Sequence, residues 1–209
     1  MTKALIFDID GTLVDSDQAM IGSIQLALKQ ELGLDLSFTD LAFTKGIPTQ
    51  VSLQRFIDDP AEIDRVEEVV NHFIGKLVHT EKLFPGVSST LRQLAPDIQL
   101  GIVTSKTSEE FNNEFVPMGL LPLFDTVITA SDTDRHKPHP DPLELALSRL
   151  GIPATEAIYV GDTKYDLEMT HAAGAQFALA RWGTAGTTAW QHEADIVLAQ
   201  PTDIAHLVH

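Results

Sequence analysis

Asp8 and Asp10 follow a short apolar run, Ala4-Leu5-Ile6-Phe7, in the segment Asp8-Ile9-Asp10-Gly11-Thr12-Leu13-Val14-Asp15-Ser16. Along a strand, neighbouring side chains alternate between faces. Where the strand gives way to a turn at Gly11, both carboxylates can be aimed at one point above its end. Two carboxylates meeting there repel unless a cation or a shared proton offsets them. The pair therefore points to metal-assisted chemistry. Aspartates at strand ends also cap turns, and the pair alone leaves that reading open.

Three later segments place polar residues after apolar runs in the same way. Thr104-Ser105-Lys106 follows Gly101-Ile102-Val103; hydroxyls and freed N–H groups at a strand-to-helix junction can receive a phosphate, or can cap a helix starting near Thr107. In His136-Lys137-Pro138-His139-Pro140-Asp141-Pro142, prolines at alternate positions stiffen the backbone around Lys137. A rigid lysine holder suits an ammonium that must sit beside charge developing in a reaction; the alternative is an exposed proline-rich loop. His136 and His139 read as loop residues, because a hard-metal site prefers oxygen. In Tyr159-Val160-Gly161-Asp162-Thr163-Lys164-Tyr165-Asp166, Asp162 ends a strand and Asp166 lies one helical turn later on the same side. Taken singly, these two acids are also favourable at a helix N-terminus.

The elements that must carry these groups are legible from periodicity. Met20, Ile24, Leu28 and Leu32, with Ile21, predict an amphipathic helix over about 17–31 closed by Gly33. After Pro60, Ile63, Val66, Val70, Phe73 and Leu77 mark a second stripe, with Glu62, Asp64, Glu67 and Glu68 as its solvated face. Residues 16–80 thus read as all-helical, interrupted by the breaker Lys45-Gly46-Ile47-Pro48. Beyond Pro85-Gly86, helices are expected over 87–95, 107–115, 141–150 and 163–173. They alternate with strands at 99–103, 126–128, 157–160, 177–179 and 196–198. That alternation indicates a Rossmann-like parallel sheet covered on both faces. The expected organisation is an α/β core, 1–15 and 81–209, with an inserted all-helical cap, 16–80. Open sheets of this kind bind ligands beyond the carboxyl ends of their strands, where the four polar segments lie.

Composition narrows the partners. The chain has 209 residues, 44% hydrophobic and 21% charged, as in ordinary globular domains. It has no cysteine, so disulfides and thiolate metal sites are excluded. No apolar stretch approaches the ~20 residues that span a bilayer, and the N-terminus does not read as a secretory signal. A cytoplasmic protein is expected. The net charge of −16 argues against nucleic acid and anionic membrane as partners. An anionic substrate would need local positive charge.

The order Asp8-x-Asp10-Gly-Thr, Thr104-Ser105, Lys137-Pro, Gly-Asp162-Thr-x-x-Asp166 resembles the haloacid-dehalogenase-like hydrolase superfamily over essentially the whole chain. The branch it looks most similar to contains phosphoglycolate phosphatase and β-phosphoglucomutase. The resemblance implies Mg²⁺ held by Asp8, the backbone carbonyl of Asp10, and Asp162, with Asp166 orienting the metal's shell or a bound water. It makes Asp8 the nucleophile that forms an aspartyl-phosphate, and Asp10 the acid that protonates the leaving alkoxide and then the base that activates water. Lys137, Thr104 and Ser105, with nearby backbone N–H groups, would neutralise the phosphoryl oxygens. Dehalogenases of the superfamily lack an acid/base aspartate at the Asp10 position, so the likeness is to its phosphotransferases. Specificity would lie in the cap, with Lys45 either contacting a substrate carboxylate or exposed in an interhelical turn. Trp182 could border the site or pack beneath the final helix; Thr12 and Ser16 are polar liners near the nucleophile, Ser16 alternatively starting the first cap helix. The function this implies is a Mg²⁺-dependent phosphatase of a small phosphorylated metabolite, 2-phosphoglycolate first. The alternatives are a pyrophosphatase, a phosphosugar mutase, which would need more cationic grip than the cap supplies, or a non-catalytic phosphate-binding regulator.

Overall fold

Ala4–Phe7 form strand β1, fully buried along its length, and every other strand of the main sheet is placed relative to it. The computed structural model describes residues 2–45, 48–184 and 189–208. After β1 come β2 (Val14–Asp15), β3 (Lys82–Leu83), β4 (Gln99–Val103), β5 (Thr126–Ile128), β6 (Ala157–Gly161), β7 (Gln176–Ala180) and β8 (Ile196–Leu198). Six of them build one sheet in the order β5-β4-β1-β6-β7-β8, and every pairing in it is parallel. β2 and β3 pair as a short separate ribbon.

The helices are α1 (Asp17–Leu32), α2 (Thr49–Leu53), α3 (Pro60–Leu77), α4 (Val87–Leu94), α5 (Ser108–Glu110), α6 (Asp141–Leu150) and α7 (Lys164–Ala172). The chain divides into two compact units, Met1–Val14 with Leu83–His209, and Asp15–Lys82. In the first, strand alternation sends Leu5, Phe7, Leu100, Ile102, Ile158 and Val160 to one face of the sheet. Ile6, Val103, Tyr159, Phe177 and Leu179 go to the other, against Leu143, Leu147, Leu167 and Met169 of α6 and α7. Both faces are therefore apolar, which is why the strands read as continuous hydrophobic runs.

In the second unit, α1 packs on α3 around Ile21, Ile24, Leu28, Ile63, Val66 and Val70. The buried face of α1 is broader than its aliphatic stripe. Ala19, Gly22, Ser23 and Ala27 are buried, while Met20 and Leu32 are half-buried. Small residues let the neighbour come close: a Cβ on Gly22 would lie 3.2 Å from Leu77. Gly33 closes α1 in the left-handed conformation, as expected. α3 starts on Asp59, whose side chain accepts from the Ala61 amide at 3.1 Å ahead of Pro60.

One expected helix is irregular. The 107–115 stretch opens on Thr107 with a capping box to Glu110, but Phe111–Phe115 form a π-helical turn. Trp182 is partly buried against the core cluster that includes Ile204 and Leu207 of the last helical segment. Its indole Nε1 donates to the Thr12 carbonyl at 2.9 Å and its ring meets Phe84 edge-on.

Gly183 lies against the turn that follows Asp10. A Cβ there would sit 1.6 Å from the Gly11 carbonyl oxygen, closer than any rotamer change can relieve. Gly183→Ala is expected to lower the melting temperature by an amount equivalent to about 1–3 kcal/mol and to reduce activity. An unchanged melting curve would show that the two turns are not braced against each other.

Candidate active site

The register that pairs Phe7 with Ile102 and with Val160 brings the carboxyl ends of β4, β1 and β6 level. The sheet order reverses about β1, and ligand crevices form at such points. Asp8 is the first residue past β1; its amide still donates to the Val160 carbonyl at 3.0 Å. Its Oδ1 receives the Lys137 ammonium at 2.9 Å, and the same ammonium reaches Asp166 Oδ1 at 2.7 Å. The lysine from the proline-rich loop is thus only 6% exposed along its side chain. The expectation of a held ammonium, rather than a solvated one, describes this geometry.

Asp162 and Asp166 come from the end of β6 and the first turn of α7. Asp162 Oδ1 accepts from the Thr12 hydroxyl at 3.3 Å. Gly11, at φ 76°, leaves no room for a side chain, because a Cβ would lie 2.2 Å from Asp162 Oδ2. Asp166 is locked from two sides. Its Oδ2 accepts from the amide and hydroxyl of Thr163, at 3.0 and 2.6 Å, while the Thr163 hydroxyl caps the Asp166 amide at 3.1 Å. Tyr159 lies beneath it. The phenol donates to the Val103 carbonyl at 2.8 Å and lies 3.3 Å from Asp166 Oδ1, and the Lys137 ammonium stands 5.3 Å from the ring centroid.

Asp8, Asp162 and Asp166 are all buried, and each offers an oxygen within 4.8 Å of the others. Burial, against the pull of Lys137 and with help from Asp166 and Asp10, pushes the Asp8 carboxyl up from 3.8 to about 7. Burial, then the Asp166 and Asp8 charges, raise Asp162 well above the ordinary carboxylate range. For Lys137, burial opposes the charge, but Asp166 and Asp8 outweigh it and keep the group protonated above the usual lysine range. One ammonium therefore bonds two of the three acids, and its charge reaches the third. The donor set, oxygen throughout, could hold a hard divalent cation.

Asp10 does not join this group. Its Oδ2 pairs instead with the Lys106 ammonium at 3.1 Å, and Lys106 also pairs with Glu114. The Gly11 turn keeps the two carboxyl groups near enough for the Asp10 charge to act on Asp8, while a second lysine holds Asp10 Oδ2. The Thr104 hydroxyl is buried and accepts from the Lys106 amide at 3.2 Å; Ser105 is exposed in the same turn. The amides of Asp10 and Ser105 donate no hydrogen bond among the described residues.

Lys45, in the second unit, forms an ion pair with Asp17; Gly46 and Ile47 of the same loop lie outside the described residues. Ser16 is buried at the N-cap position of α1 without a side-chain capping bond. Sequence reasoning gave no role to Tyr159, Thr163 or Glu114, nor to the pairing of Lys106 with Asp10. Thr163 alone had a local signal, because a Thr followed three residues later by an acid reads as a capping pair.

Comparison with known proteins bears on this geometry. A family model for haloacid dehalogenase-like hydrolases matches residues 5–180. Pyrophosphatase PpaX of Bacillus pumilus is 31% identical over 210 residues, spanning 99% of this chain and 96% of its own. A phosphoglycolate phosphatase of Aquifex aeolicus is 30% identical over 209 residues, with 99% and 96% covered. The crystal structure of a predicted phosphoglycolate phosphatase from Haemophilus somnus 129pt aligns with a TM-score of 0.86 at 25% identity, covering 100% of this chain and 98% of that one. The chain belongs to the haloacid dehalogenase-like hydrolases, as a phosphatase of that family.

Proposed function

We propose that the protein is a Mg²⁺-dependent phosphatase of a small phosphorylated metabolite, with 2-phosphoglycolate as the first substrate to test. The observation that carries the reading is the buried Asp8, Asp162, Asp166 and Lys137 group at the sheet's switch point. Asp8, Asp162 and Asp166, with the Asp10 backbone carbonyl, are the proposed metal-holding groups. When bound, the ion would supply charge neutralisation at the phosphoryl oxygens.

Asp8 attacks phosphorus, so that an aspartyl-phosphate bond forms as the ester P–O bond breaks. Protonated Asp10 delivers its proton to the departing alkoxide. Its carboxylate then takes a proton from water, whose oxygen displaces Asp8 from phosphorus and regenerates the enzyme. Lys137 is anchored where it can meet charge on the transferring group, and Thr104 with the Asp10 and Ser105 amides offers further donors. Lys45 is the proposed contact for a substrate carboxylate, sharing its ammonium with Asp17. Domain roles follow: residues 16–80 are the cap and the remainder the catalytic core. A pyrophosphatase is the second reading, favoured by the likeness to PpaX.

Ranking 2-phosphoglycolate, pyrophosphate and sugar phosphates by kcat/KM decides between these readings. Lys45→Ala should weaken only carboxylate-bearing substrates; a uniform response removes that role. Asp8→Asn should lower kcat by orders of magnitude without lowering the melting temperature, since it removes a buried acid. A loss under about tenfold, ~1.4 kcal/mol, contradicts a nucleophile. Lys137→Ala should lower both activity and melting temperature, because it leaves Asp166 buried without its ammonium. Retained stability would show that the pair is not needed.

In chelator, pH supplies a further check. A carboxyl whose folded-state value rises from 3.8 to about 7 binds more protons folded than unfolded across that window, so stability falls as pH rises through it. The metal-free protein should melt progressively lower between about pH 4 and 7, less steeply in Asp8→Asn. Mg²⁺ should restore most of the loss at pH 7.5. A flat profile, or restoration equal in Asp8→Asn, contradicts the shared site.

A further inference from the structure

The turn after β4 ends on Lys106, whose side chain is 10% exposed although it carries a charge. Both ends of its backbone unit are tied. The amide donates to the Thr104 hydroxyl at 3.2 Å and the carbonyl accepts from Ala130 at 2.8 Å. The ammonium bridges two acids, Asp10 Oδ2 at 3.1 Å and Glu114, itself 11% exposed. Glu114 belongs to the π-helical turn Phe111–Phe115. Its flanking rings, Phe111 and Phe115, are buried and stacked with centroids 5.4 Å apart. Turns of this kind are uncommon and recur at functional sites. Here the wide turn keeps both rings in the core while Glu114 meets the lysine.

The consequence falls on Asp10. A charge-assisted bond to one carboxylate oxygen sets the plane of the group. The other oxygen, Oδ1, is buried and has no hydrogen-bond partner among the described residues. Asp10 is thus gripped by Oδ2, while Oδ1 is left without a partner and is the oxygen free to carry a proton. A general acid needs this arrangement, because proton transfer requires one oxygen held at hydrogen-bonding reach of the reacting atom.

We infer that Lys106, fixed from its far side by Glu114, is the positioning residue that orients Asp10 for proton transfer to the leaving group. The inference rests on the reading of Asp10 as the acid. In this scheme Lys106 serves to orient Asp10, and charge on the phosphoryl group falls to Lys137.

The test compares kcat/KM for phenyl phosphate, whose phenolate leaves poorly without a proton, with p-nitrophenyl phosphate, whose phenolate leaves readily. Lys106→Met should lower kcat/KM about tenfold more for phenyl phosphate than for p-nitrophenyl phosphate, and Lys106→Arg should recover most of the difference. The double variant Lys106→Met/Glu114→Gln removes the stranded acid. It should keep the selective loss while melting close to wild type, which separates positioning from folding. An equal loss on both esters, or no loss, overturns the inference. Asp10→Asn, assayed in parallel, distinguishes the two levels. Selective loss in Asp10→Asn without it in Lys106→Met refutes only the positioning role. Absence of selectivity in Asp10→Asn refutes the acid role, and the positioning role with it.

Discussion

Three buried carboxylates gathered on one ammonium are the constraint around which the phosphatase core is arranged. Asp8, Asp162 and Asp166 lie within reach of one another, and Lys137 bonds Asp8 and Asp166; burying acids so close together is unfavourable without compensation. Much of the local structure serves to keep them in place. The parallel register levels the ends of β1 and β6. Thr163 and Asp166 cap α7 reciprocally, so a single side chain both starts the helix and faces the lysine. Thr12 steadies Asp162, and Trp182 steadies Thr12 through its carbonyl. Three acids against one ammonium leave an imbalance that suits a hard cation.

Two lysines divide the acids between them. Lys137 takes Asp8 and Asp166, while Lys106 takes Asp10 and Glu114. Two aspartates one residue apart in the chain therefore meet different neighbours. Environments that set paired carboxyl groups apart are how a site assigns them different roles. On the proposed reading, the first attacks phosphorus and the second moves the proton.

Sequence and structure agree where a signal is local. The α/β alternation, the parallel sheet and Gly33 closing α1 are all short-range patterns, and all are present in the fold. The gathering of Asp8, Lys137, Asp162 and Asp166 was legible because Asp8 and Asp162 stand immediately past apolar runs, Lys137 sits on a stiffened loop and Asp166 follows Asp162 by one helical turn, and parallel strands align such positions. What was not legible depends on partners distant in the chain. Phe111 and Phe115 are spaced as for an ordinary helix, and only packing and the Glu114–Lys106 pair reveal the wider turn. Tyr159 reads as another buried strand residue, yet its hydroxyl sits under Asp166. The broad buried face of α1 escaped the aliphatic pattern because small residues, which carry little hydrophobic signal, let α3 approach.

The most direct measurement is a crystal structure of the protein with Mg²⁺ and beryllium fluoride, a mimic of the phosphorylated aspartate. The account predicts the fluoride adduct on Asp8, an ion bonded to Asp8 and Asp162 with Asp166 beside it, and the Lys137 ammonium on the adduct. An adduct on another residue, or an ion bound away from Asp8 and Asp162 with Lys137 unengaged, would contradict it.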